Sequence, residues 1–321
     1  MVRTIKTLAL TTTMMATLVG LVGCGDQSNS TFTSQNYASS AGNSSQATYH
    51  VVKDEAGHEV KVPMNPQRVI APYLEDPLTV LGIKPVAQWA DGNTTFSYIP
   101  ELKGLPEISS DMPVEQVLSY NPDLIIIHNS DLVKNDNQYA KIAPTFEFKN
   151  TLTSSWKQTL LTLGKVFNKT NVAKQAIQQY DQKAQSAKTE LQKVVEKKTV
   201  AILWIEGKDI YLVSRGRQSG GVLYDDLGLT PPKAANKKAL GPFPQLSLEE
   251  LPELNADYIF EVPEDSAGQA QSNTVTNSPI WQSLKAVKEG HVYKEDYGNW
   301  INDGFYADEK TINDTLKALV K

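Results

Sequence analysis

The chain predicts an α/β fold of two Rossmann-like lobes joined by one long rigid helix. Three observations carry this. Short apolar strands alternate with helical segments between residues 68 and 167. A run of 31 residues, 168–198, then holds no Gly and no Pro and places its apolar residues at helical spacing. After it the strand–helix alternation begins again and partly repeats itself.

The N-terminus precedes that body. Arg3 and Lys6 lead into an apolar stretch from Leu8 to Val22, too short to cross a bilayer unaided and suited to a secretory signal over residues 1–23. Cys24 follows Leu21-Val22-Gly23 and is the only cysteine, so it has no disulfide partner within the chain. That placement resembles the bacterial lipobox and implies that Cys24 is lipidated and tethers an exported protein to the outer face of the cytoplasmic membrane. Residues 24–47 are anchor and linker. Their Ser, Thr, Asn, Gln and Gly cannot bury enough apolar surface to order themselves, and they give a leash of about 26 Å.

The first lobe is expected over residues 48–167. Tyr49–Val52 and His58–Val62 alternate around a Lys-Asp-Glu-Ala-Gly turn and read as a hairpin. Strands follow at Arg68–Ala71, Pro85–Trp89, Asp123–His128 and Thr145–Phe148, with helices at Asp76–Leu81, Val114–Tyr120, Asn135–Ile142 and Ser154–Phe167. The Gly-free run at 168–198 would be a helix roughly 45 Å long, joining the lobes. The second lobe, 199–321, restarts with strands at Thr199–Ile205 and Ile210–Val213 and a helix at Gly221–Leu227. Two stretches repeat in order. Val80-Leu-Gly-Ile-Lys-Pro-Val86 matches Asp226-Leu-Gly-Leu-Thr-Pro-Pro232. Val114-Glu-Gln-Val through Asp123-Leu-Ile matches Leu248-Glu-Glu-Leu through Asp257-Tyr-Ile, at a constant offset of 134.

Composition narrows the function. Apolar residues at 40% and charged residues at 21% are globular proportions. The net charge of −5 becomes −7 without Arg3 and Lys6, which argues against nucleic acid as a partner. Gly-x-Ser-x-Gly, P-loop, Gly-x-Gly-x-x-Gly and His-Glu-x-x-His motifs are absent, so an enzyme such as an exported hydrolase is a remote alternative. The four histidines are scattered, so no direct metal centre is expected.

The pieces together resemble the iron–siderophore substrate-binding lipoproteins of bacterial ABC importers, the ferrichrome-binding type. The resemblance rests on Asp54-Glu-Ala-Gly-His-Glu-Val60 leading to Asn65-Pro-Gln-Arg-Val-Ile70, on Leu81-Gly-Ile-Lys-Pro-Val86, on Asn121-Pro-Asp-Leu-Ile-Ile126 and the long helix, and on Lys288-Glu-Gly-His-Val-Tyr293 and Asn299-Trp-Ile-Asn-Asp-Gly304. It implies a class III periplasmic-binding-protein fold with the ligand cleft between the lobes, little closure on binding, no intrinsic cofactor and no catalysis. It also implies a monomer that hands a ferric siderophore to a permease and its ATPase. The same scaffold carrying haem or a corrinoid is the alternative, with Tyr73, His128 or Tyr297 as haem ligands.

Ligands of open α/β sheets bind outside the C-terminal ends of the strands. That rule selects Tyr73, Glu75, Trp89, His128 and Asn129 in the first lobe, and Trp204, Glu206, Arg215 and Arg217 in the second. Tyr297, Trp300 and Asn302 join them from the last loop. Aromatic faces with one or two Arg donors suit a near-neutral hydroxamate complex better than an anionic citrate or catecholate. Ser214-Arg-Gly-Arg-Gln-Ser-Gly-Gly opens a helix whose N–H groups and guanidiniums are expected to face an anion. Trp156 and Trp281 are expected in the core. The resemblance assigns Glu115 and Glu249, with Glu250 as alternate, to permease docking.

Overall fold

Alternating residues over Tyr49–Lys53 (β1) and Glu59–Pro63 (β2) fold back as an antiparallel hairpin with Val52 opposite Val60. The computed structural model describes residues 48–90, 96–129, 136–151, 155–216, 218–236, 243–264 and 269–320. The expected signal, Cys24, the linker and Arg217 lie outside the described residues.

The first lobe runs β3 (Val69–Ile70), α1 (Glu75–Val80), β4 (Gln88–Trp89), β5 (Glu107–Ile108), α2 (Val114–Ser119), β6 (Leu124–Ile127), α3 (Asp136–Tyr139) and β7 (Thr145–Glu147). β3, β6 and β7 form one parallel sheet in that order, and β4 pairs with β5 in parallel. A parallel bridge between Val69 and Pro85 brings the β4–β5 pair alongside β3. Side chains alternate across a strand, and β6 shows what that means when both faces are covered. Leu124 and Ile126 enter one core with Phe146, Leu160 and Leu163, while Ile125 and Ile127 enter another with Ile70, Ile108 and Val117.

Ser155 caps α4 (Trp156–Val166) by accepting from the Lys157 N–H. α5 then spans Thr170–Val194, 25 residues. It is shorter than the run 168–198 because Asn168 (φ +54°) and Glu196 (φ +51°) take left-handed backbone just outside its ends. At 1.5 Å per residue its length is about 38 Å. Ala173 and Ala176 pack into the first-lobe core, while Tyr180, Ala184, Ala187 and Leu191 pack into the second. One helix therefore belongs to both lobes. Its approach to α4 is close: an added Cβ on Gly164 would lie 3.0 Å from Ala173 Cβ.

The second lobe holds β8 (Val200–Glu206), β9 (Asp209–Leu212), α6 (Gln218–Gly220), β10 (Gln245–Leu246), β11 (Tyr258–Pro263), α7 (Gln269–Thr276), α8 (Pro279–Ser283), α9 (Lys285–Lys288), β12 (Val292–Lys294), α10 (Tyr297–Trp300) and α11 (Phe305–Leu319). Its sheet order is β10-β9-β8-β11-β12, with β8, β11 and β12 parallel. β9 runs antiparallel to both neighbours, because Gly207 (φ +61°) and Lys208 close a two-residue hairpin between Glu206 and Asp209. The helix expected at Gly221–Leu227 is present but wound as a wider π-helical turn over Gly221–Asp226.

The repeat has a structural counterpart. Asn121 and Asn255, 134 apart, have φ of +45° and +44°. Asp123 accepts from the backbone N–H groups of Gln67 and Arg68 at the start of β3, and Asp257 accepts from Thr199 N–H at the start of β8. Each aspartate N–H returns a bond to the carbonyl of Arg68 or Thr199.

Candidate functional site

Two adjoining cavities lie where the strand ends of both lobes meet. One, of about 190 Å³, is lined by Tyr73, Trp89 and Phe96 on one side and by Gln218, Ile301 and Asn302 on the other. The second, of about 260 Å³, runs along Lys157, Gly216, Val222, Asp225 and Asp226. Trp156, Gln218 and Asp303 line both. Their floor is thus built by α4, at the boundary between the two cores, with walls from each lobe.

Tyr73 holds a left-handed backbone (φ +68°) directly after β3, which turns its ring toward Trp89 at 4.4 Å and His128 at 4.3 Å. Trp89 is 7% exposed, and its indole N–H has no partner among the described residues. The buried side-chain oxygen of Gln218, on the facing lobe, is likewise without one. A donor and an acceptor are therefore left over on opposite sides of the cavity, where a bound molecule would satisfy them.

Buried acids stand behind this wall. Glu75 accepts from the Trp89 backbone N–H and so fixes the strand that carries the indole. Burial pushes the Glu75 carboxyl up to about 8, against the backbone bonds that pull it down. Asp76 reaches across to the second lobe and accepts from the N–H groups of Tyr306 and Ala307 at the start of α11, at 3.1 Å each. That bond satisfies helix N–H groups that have no partner within the helix. Burial raises Asp76 to about 7. Gly304 leaves the room: an added Cβ would stand 2.5 Å from the Asp76 carboxyl carbon. Burial also lowers His128 to about 4, so its imidazole is neutral near pH 7.

Of the expected site residues, Tyr73, Trp89 and Asn302 line the cleft. His128 is buried behind Tyr73. Trp204 is buried on β8 and stacks on Phe243 at 4.6 Å. Tyr297 donates to Glu206 at 2.7 Å, and burial raises its hydroxyl pKa. Neither lines the two cavities. Trp300 requires correction. It is 0% exposed, tilts against Phe260 at 4.9 Å and donates to Asp314, so it is core. The loop around it is polar, but its side chain completes the apolar contact between β11 and α11.

Arg215 also departs from expectation. Its guanidinium donates to Asp225 Oδ1 at 2.8 Å, to the Tyr224 carbonyl and to Asn236, and Gly216 N–H donates to Asp225 Oδ2. The anion expected at this turn is the chain's own Asp225. Trp156 was expected in the core, yet it is half-buried, edge-on to Tyr180 at 5.0 Å, and forms the shared cavity floor. It opens α4 nine residues beyond the end of β7, too far along the chain for the strand-end rule to select it. Asp303 lies one position beyond Asn302, which the rule did select, and Phe96 lies seven positions beyond Trp89. Gln218 carries no sequence signal of its own. Trp281 is core, as expected.

Glu115 is exposed in the first turn of α2, one turn from the exposed Leu118. Glu249 is exposed at the matching place on a 3₁₀ helix, Leu248–Leu254. Glu250 instead accepts from Ser247 in a capping box. Among the described residues, no helix is long and apolar enough to cross a membrane.

The sequence profile described as periplasmic binding protein matches residues 92–296. The iron(3+)-hydroxamate-binding protein FhuD of Bacillus subtilis is 35% identical over 288 residues, 87% of each chain. The iron(3+)-hydroxamate-binding protein YxeB of the same organism is 28% identical over 77% of this chain and 76% of that one. A crystal structure from Bacillus subtilis, described as a FhuD fold-family periplasmic binding protein component of a ferrichrome ABC transporter, superposes with a TM-score of 0.73. It is 32% identical and covers 84% of this chain and 100% of its own. FhuD2 of Staphylococcus aureus with bound ferrioxamine B shares the fold, with a TM-score of 0.67 at 24% identity over 79% and 97% of the two chains.

Proposed function

This chain belongs to the periplasmic binding protein family, and from that premise we propose that it is the receptor that captures a ferric siderophore and delivers it to an ABC importer. Hydroxamate chelates are the favoured cargo. The observation that carries this reading is the interlobe cleft. Aromatic rings of Tyr73, Trp89, Phe96 and Trp156 present greasy faces to a bulky complex, and the indole N–H of Trp89 opposes the Gln218 oxygen for its polar atoms.

The cleft's described cations do not favour an anionic chelate. Lys157 is paired with Asp181 at 2.6 Å and Arg215 with Asp225. A near-neutral hydroxamate complex asks for no additional positive groups. The protein binds and presents its ligand without reacting with it, and the iron arrives inside its chelator as cargo.

In this reading Cys24 carries the lipid that keeps the exported chain at the outer face of the membrane, and residues 25–47 are its leash. Glu115 and Glu249 face the two halves of the permease, while Glu250 is committed to its helix cap. Tryptophan fluorescence of the full chain in detergent tests the cargo, titrated with ferric hydroxamate, ferric catecholate, ferric citrate, haem and cobalamin. Submicromolar quenching by ferric hydroxamate is the expected result. Quenching by haem or cobalamin alone would overturn the cargo and keep the receptor, and no response to any of the five would overturn the receptor as well.

A further inference from the structure

Outside the cleft, the hairpin turn brings three ligating side chains together. Asp54 and His58 stand at either end of the β1–β2 turn, and Glu147 ends β7, 89 residues beyond His58 in sequence. One ligand atom from each lies within 4.8 Å of the other two. The Asp54 carboxylate is wholly buried and Glu147 nearly so, whereas His58 faces solvent. A surface groove of about 800 Å³ opens beside His58 and Glu147.

The backbone holds this set in place. Asp54 N–H donates to the His58 carbonyl, and Gly57, at φ +99°, lets the turn close with its N–H on the Asp54 carbonyl. Glu55 N–H donates to the Glu147 carbonyl, and Lys149 N–H donates to the Glu55 carboxylate, so the turn is pinned to β7 from both directions. Asp54 Oδ1 accepts from His58 N–H at 2.7 Å, which leaves Oδ2 facing His58 Nδ1 at 3.2 Å. Both atoms are of a kind that can hold a cation placed between them. A divalent cation seated there would be held by the imidazole nitrogen and the carboxylate oxygen together. Ligand atoms about 2.0–2.2 Å from a tetrahedral ion lie about 3.3–3.6 Å from one another; this pair stands at 3.2 Å, and a Glu147 carboxylate oxygen lies within 4.8 Å of both.

We propose that Asp54, His58 and Glu147 form a divalent-metal site that fastens the N-terminal hairpin to the edge of the first lobe, independent of the cargo cleft. One imidazole nitrogen and two carboxylate oxygens, with no sulfur, make a borderline donor set that takes Zn²⁺ more tightly than Mn²⁺. The groove beside His58 leaves the remaining position to water.

Calorimetric titration of the chelator-treated full chain in detergent with ZnCl₂ and MnCl₂ tests this. One saturable Zn²⁺ site is expected, with weaker Mn²⁺ binding and a higher Tm in Zn²⁺. His58→Ala alters an exposed side chain and is expected to raise the Zn²⁺ Kd at least tenfold and abolish the Tm gain. Glu147→Gln should do the same where it folds. His291→Ala, beside Glu289 in the second lobe, should change neither. Absence of saturable Zn²⁺ binding, or an unchanged Kd in His58→Ala, would overturn the site. Ferric hydroxamate quenching in the same His58→Ala sample is expected to persist, so loss of one function is distinguishable from loss of the other.

Discussion

The two lobes begin alike and then diverge. In each, a left-handed asparagine and an aspartate two residues later start a central parallel strand and hold the first residues of its neighbour: Asn121 and Asp123 before β6, Asn255 and Asp257 before β11. The helix before this device is α-helical in the first lobe and 3₁₀ in the second, where Pro252 removes an N–H and crowds the turn. The sheet of β3, β6 and β7 is wholly parallel, whereas that of the second lobe includes the antiparallel β9. What has stayed the same is the satisfaction of backbone groups at strand starts. The strand ends, which border the cleft, differ between the lobes. Tryptophans reflect this: Trp89 ends a strand on the cleft wall, and Trp300 near the corresponding face of the second lobe is sealed in its core.

The strongest test of that contrast is Trp300→Ala. It should cost about 3–5 kcal/mol of stability, read by denaturant unfolding, with siderophore affinity preserved well below Tm. A loss of affinity in the folded variant would return Trp300 to the cleft. Asp257→Ala should cost about 2–3 kcal/mol, because it removes the acceptor for Thr199 and the Lys285 ion pair together. Asp123→Ala, which removes the acceptor for the Gln67 and Arg68 N–H groups, should cost somewhat less, and a larger loss than Asp257→Ala would show that the Lys285 ion pair is not what separates the two positions. Trp156→Ala should weaken ferric hydroxamate at least tenfold, or about 1.4 kcal/mol, since its ring is the floor shared by both cavities. Unchanged affinity would move the site elsewhere.

A smaller effect concerns pH. Glu75 has a folded pKa of about 8 against an ordinary value of 4.5. The folded chain therefore holds a proton that the unfolded chain releases, and stability falls as pH rises from about 4.5 to 8 and then levels. Between pH 5 and 8.5 the wild-type Tm should drop more than that of Glu75→Gln. Asp76 contributes a slope of the same sign in both proteins, so the difference isolates Glu75. Parallel curves would show that the carboxyl ionises without penalty. Arg215→Ala should shift stability by no more than about 0.5 kcal/mol, because its ion pair with Asp225 is exposed, and should leave siderophore affinity within twofold.

The fold was legible because its signals are local. The uniform apolar run of β6, the Gly-free α5 and the offset of 134 each follow from one short segment meeting one periodicity rule. The site was only half legible. Tyr73 and Trp89 follow their own strands, so the strand-end rule reaches them. Trp300 obeys the same rule in sequence, yet Phe260 and Asp314, 40 residues upstream and 14 downstream, decide its burial. Arg215 looked like a ligand donor because Asp225, ten residues on, is brought back to it only by the π-helical turn. Which side chain a loop turns outward is settled by partners distant in sequence, and no periodicity records them.

Asp76 and α11 have one more consequence. The first helix of the first lobe finds its partner in Tyr306 and Ala307, 230 and 231 residues further along the chain. α5, meanwhile, lends opposite ends of a single helix to both cores. Docking of residues 305–319 therefore completes contacts of the first lobe as well as the second. The molecule should complete its fold only when nearly all of its length is available, and should come apart in one cooperative step. Its two halves are lobes in shape and a single unit in thermodynamics.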